Sequence, residues 1–261
     1  MSTATTVRLT LEYDGSAFSG WQRQPHARTV EGVLRQALAA VGASPVAMTA
    51  SGRTDAGAHA HGQVVGLHLS FPWSPERLQA ALNATLPADV VVVSAEAAEP
   101  GFHARYDALA RTYRYVVVPR SDRIAVARHY AWQVRGPLDV GAMRRAAALL
   151  IGTHDFAAFG RSPRSGGSTV RTVFRVEVRH VAMTPQGGAV VIDVDADAFL
   201  YGMMRSFAGA LVAIGEGRMS DSELHQLVLD PPAQRARLTV APARGLHQWA
   251  VTYPDSTVPE S

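Results

Sequence analysis

Hydrophobic periodicity along this chain switches between two and about 3.6 residues in the same order twice, and that switching constrains the fold more than any other feature. Val7, Leu9, Leu11 and Tyr13 alternate with Arg8, Thr10 and Glu12, the signature of a half-buried strand that Asp14-Gly15 ends. Thr29 can cap a helix whose apolar face is Val30, Val33, Leu34, Ala37, Leu38 and Val41. Short strands follow near Val46–Ala50 and over Gln63–Ser70. Ser74-Pro75-Glu76 starts a second helix, with proline at its first position, and Asp89–Ala97 is a valine-rich strand. The order then recurs. Arg111–Val118 is a strand, and Asp139 caps a helix carrying Met143, Ala147, Leu150 and Ile151. Val173–Val181 and Ala189–Val194 are strands parted by a turn at Pro185–Gly188, and Phe199–Ile214 is a helix. A capping box at Ser220–Glu223 opens an extra helix, and Leu246–Tyr253 is the last strand.

Each half therefore reads β-α-β-β-α-β, the ferredoxin-like order. The fold expected is α+β, with two such halves joining antiparallel sheets side by side. The first half takes residues 1–104, the second 105–254, and 255–261 form a frayed tail. Gly160–Ser168 reads as a mobile loop.

Composition narrows the chemistry. The chain has 261 residues, 47% of them hydrophobic and 18% charged, enough for a large core without staples. It has no cysteine, which excludes disulfides, thiol nucleophiles and thiolate metal sites. It also has no lysine, so all 25 basic residues are arginine, and Schiff-base lysines and the P-loop lysine are excluded. Arginine grips phosphate bidentately and stacks on bases, so this set suits a nucleic-acid partner; a GC-rich genome gives the same bias. No stretch approaches the roughly 18 apolar residues of a membrane span. Met1–Thr6 has no basic run leading into an apolar one, so no signal peptide is expected and the protein should be soluble and cytoplasmic.

Ser51–Gln63 is the densest polar segment. It holds three glycines and no large apolar side chain before its strand, so backbone there can approach a ligand closely. Asp55 is its natural nucleophile or base, or else the acid of a turn that caps local amides. His59 and His61, with His68 further on, suggest a His/Asp metal site, but no acid between Asp55 and Glu76 stands ready to orient them. Asp193-x-Asp195-x-Asp197 resembles the start of a calcium loop and fails it at Ala198 and Met204; solvated strand alternation ending in a helix cap reads better. Tyr113 and Tyr115 share one strand face with Arg114 on the other, as stacking platforms or as core tyrosines. Arg205 lies off the apolar stripe of its helix, with Tyr201 beside it, facing a cleft or simply solvent. Hydrolase elbows, zincin helices, dinucleotide fingerprints and phosphate-binding loops are missing.

Together these segments resemble the tRNA pseudouridine synthase A family, from Val7 to Tyr253. The matches are Tyr13-Asp14-Gly15, Phe18-x-Gly20-Trp21-Gln22-x-Gln24, Gly52-Arg53-Thr54-Asp55-Ala56-Gly57 and Gln63-Val64. Phe102-x-Ala104-Arg105-Tyr106, Arg111–Tyr115, Phe199-Leu200-x-x-Met203-x-Arg205, Gly209-x-Leu211-Val212, Ala241-Pro242 and Gly245-Leu246 complete the series. The chain departs from the family at Ala58, Ala198, Ser206 and Gln248, the last standing where an apolar residue is usual.

The resemblance implies a cofactor-free, metal-free isomerase that detaches a uracil from its ribose, rotates it and rejoins it through C5. It makes Asp55 the catalytic aspartate, Tyr113 the aromatic residue stacked on the target base, and Arg205 the basic residue that keeps the aspartate ionised. Arg53 would help extrude the base, and Thr54, Gln63 and Leu246 would bind substrate. An active-site cleft between the halves would gather these groups. The implied substrate is the anticodon stem-loop of tRNA at uridines 38 to 40, and the implied assembly is a homodimer. Arginines 120, 123, 128, 161, 164 and 171 would contact phosphates. Two other classes compete: a non-catalytic tRNA-binding or folding protein on the same scaffold, and a His/Asp metallohydrolase.

Overall fold

The computed structural model describes residues 5–162, 165–184, 187–231 and 238–254. Expectations for Pro163, Arg164, Pro185, Gln186 and the tail 255–261 fall outside the described residues, as do 1–4 and 232–237. Among the described residues the protein is a mixed α+β chain of ten strands and five α-helices. It divides into two compact units, one made of residues up to Leu109 together with those from Gln248 onward, the other of Ala110–His247.

The first unit runs β1 (Thr5–Tyr13), α1 (Val30–Ala40), β2 (Pro45–Ala50), β3 (His59–Leu69), α2 (Pro75–Thr85) and β4 (Val90–Ala97). This is the expected order. The strands lie β4-β1-β3 with β2 on the far side of β3, all antiparallel. Alternation works as expected: Val7, Leu9, Leu11 and Tyr13 are buried, while Arg8 pairs with Glu96 on the other face. Val7 stands opposite Leu67 of β3 and Ala97 of β4, so one apolar face continues across the sheet. Thr29 caps α1 by accepting from Gly32 N–H, and Ser74 caps α2 by accepting from Arg77 N–H. Val30, Leu34 and Leu38 of α1, with Leu78 and Leu82 of α2, close the core.

The second unit contains β5 (Ala110–Pro119), β6 (Trp132–Val134), α3 (Val140–Ala148), β7 (Gly152–Asp155), β8 (Val170–Thr184), β9 (Gly187–Ala196), α4 (Met203–Gly215) and α5 (Asp221–Leu229). Its strands lie β5-β9-β8-β7, with β6 parallel to β5. The last strand, β10 (Leu246–Thr252), begins here, and from Gln248 on it belongs to the first unit beside β3. The expected order holds, with β6 and β7 added; three and four residues are too short to print a period of two.

Two expectations change. The helix expected from Phe199 starts at Met203, because Gly202 turns at φ 78° and Tyr201 forms a bridge with Arg161. The apolar stripe runs on through Leu200, which hides the break. Asp193, expected in solvent, is buried: Arg114 holds it with two bonds of 2.7 and 3.0 Å, and Arg179 adds a third. Both arginines come from neighbouring strands, so the pairing depends on register. Asp197 takes Thr172 N–H and Ala198 N–H at the end of β9, short of the helix it was expected to cap. Among the described residues no helix is long and apolar enough to cross a membrane.

Candidate active site

Asp55 sits on the segment joining β2 to β3, and short residues let other backbone close on it. Trp21 N–H donates to the Thr54 carbonyl at 3.1 Å, Gly57 N–H to the Phe18 carbonyl at 3.2 Å, and Ala58 N–H to the Asp55 carbonyl at 3.1 Å. Gly20 adopts φ +90°, and a Cβ there would lie 2.8 Å from the Thr54 oxygen. A Cβ on Gly15 would lie 1.8 Å from the Ala58 oxygen. The Tyr13-Asp14-Gly15 and Phe18-x-Gly20-Trp21 motifs are therefore the clamp around the Asp55 turn.

Side chains complete that clamp. Tyr13 OH and Thr54 Oγ1 share a buried hydrogen bond of 2.7 Å. Ser51 Oγ donates to Gln63 Oε1 at 2.6 Å, and Gln63 Nε2 donates to the Gly52 carbonyl at 2.9 Å. Gln248 Nε2 reaches Gln63 Oε1 at 2.9 Å and Ser51 Oγ at 3.1 Å. Within this fastened turn Asp55 is half-buried and Arg53 is exposed, so a carboxylate and a guanidinium are offered close together in sequence on an otherwise small-residue surface. Of the expected site residues, this unit brings together Arg53, Thr54, Asp55 and Gln63.

The two histidines have partners that the sequence alone does not reveal. His59 Nδ1 accepts from Gly15 N–H at 3.1 Å and lies 3.2 Å from Asp14 Oδ1. His61 Nδ1 lies 3.0 Å from Glu12 Oε2, and its ring packs on Trp249. No acid within the histidine segment could orient these rings; Glu12 and Asp14 come from β1 and the turn after it. Antiparallel pairing of β1 with β3 is the signal that leads to them. Among the described residues no group of three or more His, Asp or Glu side chains is placed to hold a metal.

The second unit carries Tyr113, Arg205 and Leu246. Tyr113 is buried on β5 with its ring edge-on to Phe199 at 4.7 Å. Arg205 is half-buried in the first turn of α4. Its Nε donates to the Ala241 carbonyl at 2.6 Å, and Ala241 N–H donates back to the Arg205 carbonyl at 3.1 Å. One turn on, a Cβ at Gly209 would lie 1.8 Å from the Thr239 oxygen. Glycine there lets the 239–241 segment lie against α4 and hold the arginine. Tyr115 OH donates to the Pro242 carbonyl at 2.6 Å, and Gly245 lies flush on its ring. Burial pushes the Tyr115 hydroxyl well above the usual tyrosine range, against the nearby charges of Arg205 and Arg244. Leu246 is buried at the start of β10.

The arginines expected at phosphates divide. Arg123, Arg128 and Arg161 are exposed, with Arg161 stacked over Tyr201, and Arg120 is half-buried. Arg171 instead turns its guanidinium onto the Ser168 and Val170 carbonyls. Arg164 lies outside the described residues.

The chain belongs to the tRNA pseudouridine synthase family: the family's model matches residues 10–107 and 146–254. Asp55 falls in the first matched block and Arg205 in the second; Tyr113 falls between them. Relatives named tRNA pseudouridine synthase A align over 95% of this chain. Those of Thermoanaerobacter pseudethanolicus and Moorella thermoacetica are 36% and 41% identical, with 99% of each relative covered. That of Frankia casuarinae is 43% identical, with 89% covered.

Proposed function

We propose that this chain converts uridines 38 to 40 of the tRNA anticodon stem-loop into pseudouridine, with the Asp55 carboxylate as the covalent nucleophile. The reaction is an isomerisation. The N1–C1′ bond breaks, the uracil turns, a C5–C1′ bond forms, and the proton on C5 leaves while N1 gains one. No electrons are gained or lost and no group is imported, so the chemistry calls for no redox cofactor. Asp55 carries the fragment through the rearrangement, Tyr113 stacks on the base, and Arg205 favours the ionised carboxylate. Arg53 assists extrusion of the base, which costs a few kcal/mol. Thr54 and Leu246 serve the substrate, whereas Gln63, expected there from the resemblance, is completely buried behind the Asp55 turn; the protein works as a homodimer in the cytoplasm.

The observation that carries this reading is the Asp55 turn. It is fastened by backbone bonds on one side and buried amides on the other, while its carboxylate stays half-exposed. A turn whose only role was local capping would not require two separate glycine-dependent approaches. The test is tritium release from unmodified tRNA transcripts labelled at uridine C5, for wild type and Asp55→Ala. Release is expected from wild type only. The variant should bind tRNA within about tenfold of wild type, a difference of about 1.4 kcal/mol. Turnover by Asp55→Ala would overturn the assignment of the nucleophile. Binding without release by wild type would leave a tRNA-binding protein.

A further inference from the structure

We propose that Gln63 is a positioning residue, whose buried amide sets the place of Asp55 through the Gly52 carbonyl, with Ser51 and Gln248 fixing that amide. The inference rests on the role proposed above for Asp55.

Gln63 is completely buried, so its side chain offers nothing to a ligand at the surface. Its bonding is directional. The Gly52 carbonyl can only accept, so it must face Nε2, at 2.9 Å. Ser51 Oγ accepts from Val64 N–H at 3.3 Å and from Gln248 Nε2 at 3.1 Å, so its own proton goes to Gln63 Oε1. Gln248 Nε2 donates to the same oxygen. A flipped Gln63 amide would set its oxygen against the Gly52 oxygen and its NH2 against the Gln248 NH2. One orientation survives, and it pins the chain at Gly52.

The second anchor is Thr54, held by Trp21 N–H and Tyr13 OH. Only Arg53 lies between the two anchors, and Asp55 follows directly. Releasing Gly52 therefore removes one of the two supports from which the carboxylate is aimed and leaves the turn to pivot about Thr54. A shift of about 1 Å in a reacting group can cost on the order of a hundredfold in rate.

Gln248 is the second observation. It is also completely buried, yet its Oε1 has no hydrogen-bond partner among the described residues. An orphaned buried acceptor is costly, and an apolar side chain of similar volume would avoid it. Stability alone does not explain a glutamine at this position; immobilising Gln63 does.

The experiment combines steady-state kinetics on C5-tritiated tRNA with thermal unfolding for three variants. Gln63→Leu should lower kcat at least tenfold, leave KM and tRNA affinity within threefold, and lower Tm, since Gly52 and Gln248 both lose a partner. Gln248→Leu should lower kcat a few-fold with Tm unchanged or raised. The double variant Gln63→Leu/Gln248→Leu should recover Tm while kcat stays at least tenfold down, and it carries the comparison if the single Gln63 variant does not fold. Return of kcat along with Tm in the double variant would reduce the network to a structural one and overturn the proposal. So would a Gln63→Leu effect confined to KM, which would place Gln63 on the substrate. If Asp55→Ala is inactive and Gln63→Leu keeps kcat within twofold, the positioning role fails alone; if Asp55→Ala turns over, the reading beneath it fails.

Discussion

Tyr115 couples the stability of the second unit to pH through a single buried hydroxyl. In the unfolded chain a tyrosine ionises near pH 10, whereas buried Tyr115 holds its proton to higher pH. Its folded pKa is raised, so its contribution is complete below about pH 10 and is lost as pH climbs through the range above it. Tm measured from pH 8 to 11 should fall at the alkaline end, and Tyr115→Phe should flatten that fall. An unchanged slope would mean the hydroxyl is not buried as described. Asp55 belongs to the same scale and is the more legible of the two. Small neighbours, Gly52, Ala56, Gly57 and Ala58, single it out in the sequence, while the close backbone approaches to its turn are made by Gly15 and Gly20. The distant groups that complete the turn are not legible in that way. Gln248 is 185 residues from Gln63, and Glu12 is 49 from His61. Such pairs depend on strand register, which is settled only once every strand has its place.

Helices are legible where a capping residue opens them. Thr29, Ser74, Asp139 and Ser220 all cap as their sequence context suggests. Ser220→Ala should destabilise by about 1 kcal/mol, as read by chemical denaturation, because Glu223 N–H loses its acceptor and the carboxylate one of its two donors. The start of α4 is obscured because hydrophobicity continues where backbone direction changes; only Gly202 marks the break, and a glycine alone does not say which way the chain turns. The contact between α4 and the 239–241 segment supplies a second prediction. Gly209→Ala forces a methyl against the Thr239 carbonyl, so the segment or the helix must shift. The expected cost is about 1–3 kcal/mol, and in a chain of this size each kcal/mol lowers Tm by roughly 2–4 °C. Because Ala241 holds Arg205, tritium release should fall as well. A fully stable, fully active Gly209→Ala would contradict the packing.

For the molecule as a whole, the fold class follows from twice-repeated periodicity, whereas the ion pairs of the second unit emerge only when β5, β8 and β9 are aligned. Basic charge is carried by 25 arginines against 22 acids, a small excess that still matters if the exposed guanidinium groups meet phosphate. Binding to tRNA should then weaken steeply with salt, by a factor on the order of a thousand between 50 and 200 mM if six or more phosphates are contacted. A flat response would argue for recognition by base contacts alone. The course of the chain has its own consequence for synthesis. The first unit is begun early but receives Gln248 only after the whole second unit has been translated. Synthesis that ends after Arg205 but before Gln248 yields a polypeptide that carries Asp55 without the last residue of its buried anchor. Prematurely terminated products of this gene should therefore be poor enzymes even when every catalytic side chain has been made, so translation through Gln248 acts as the final step of active-site assembly.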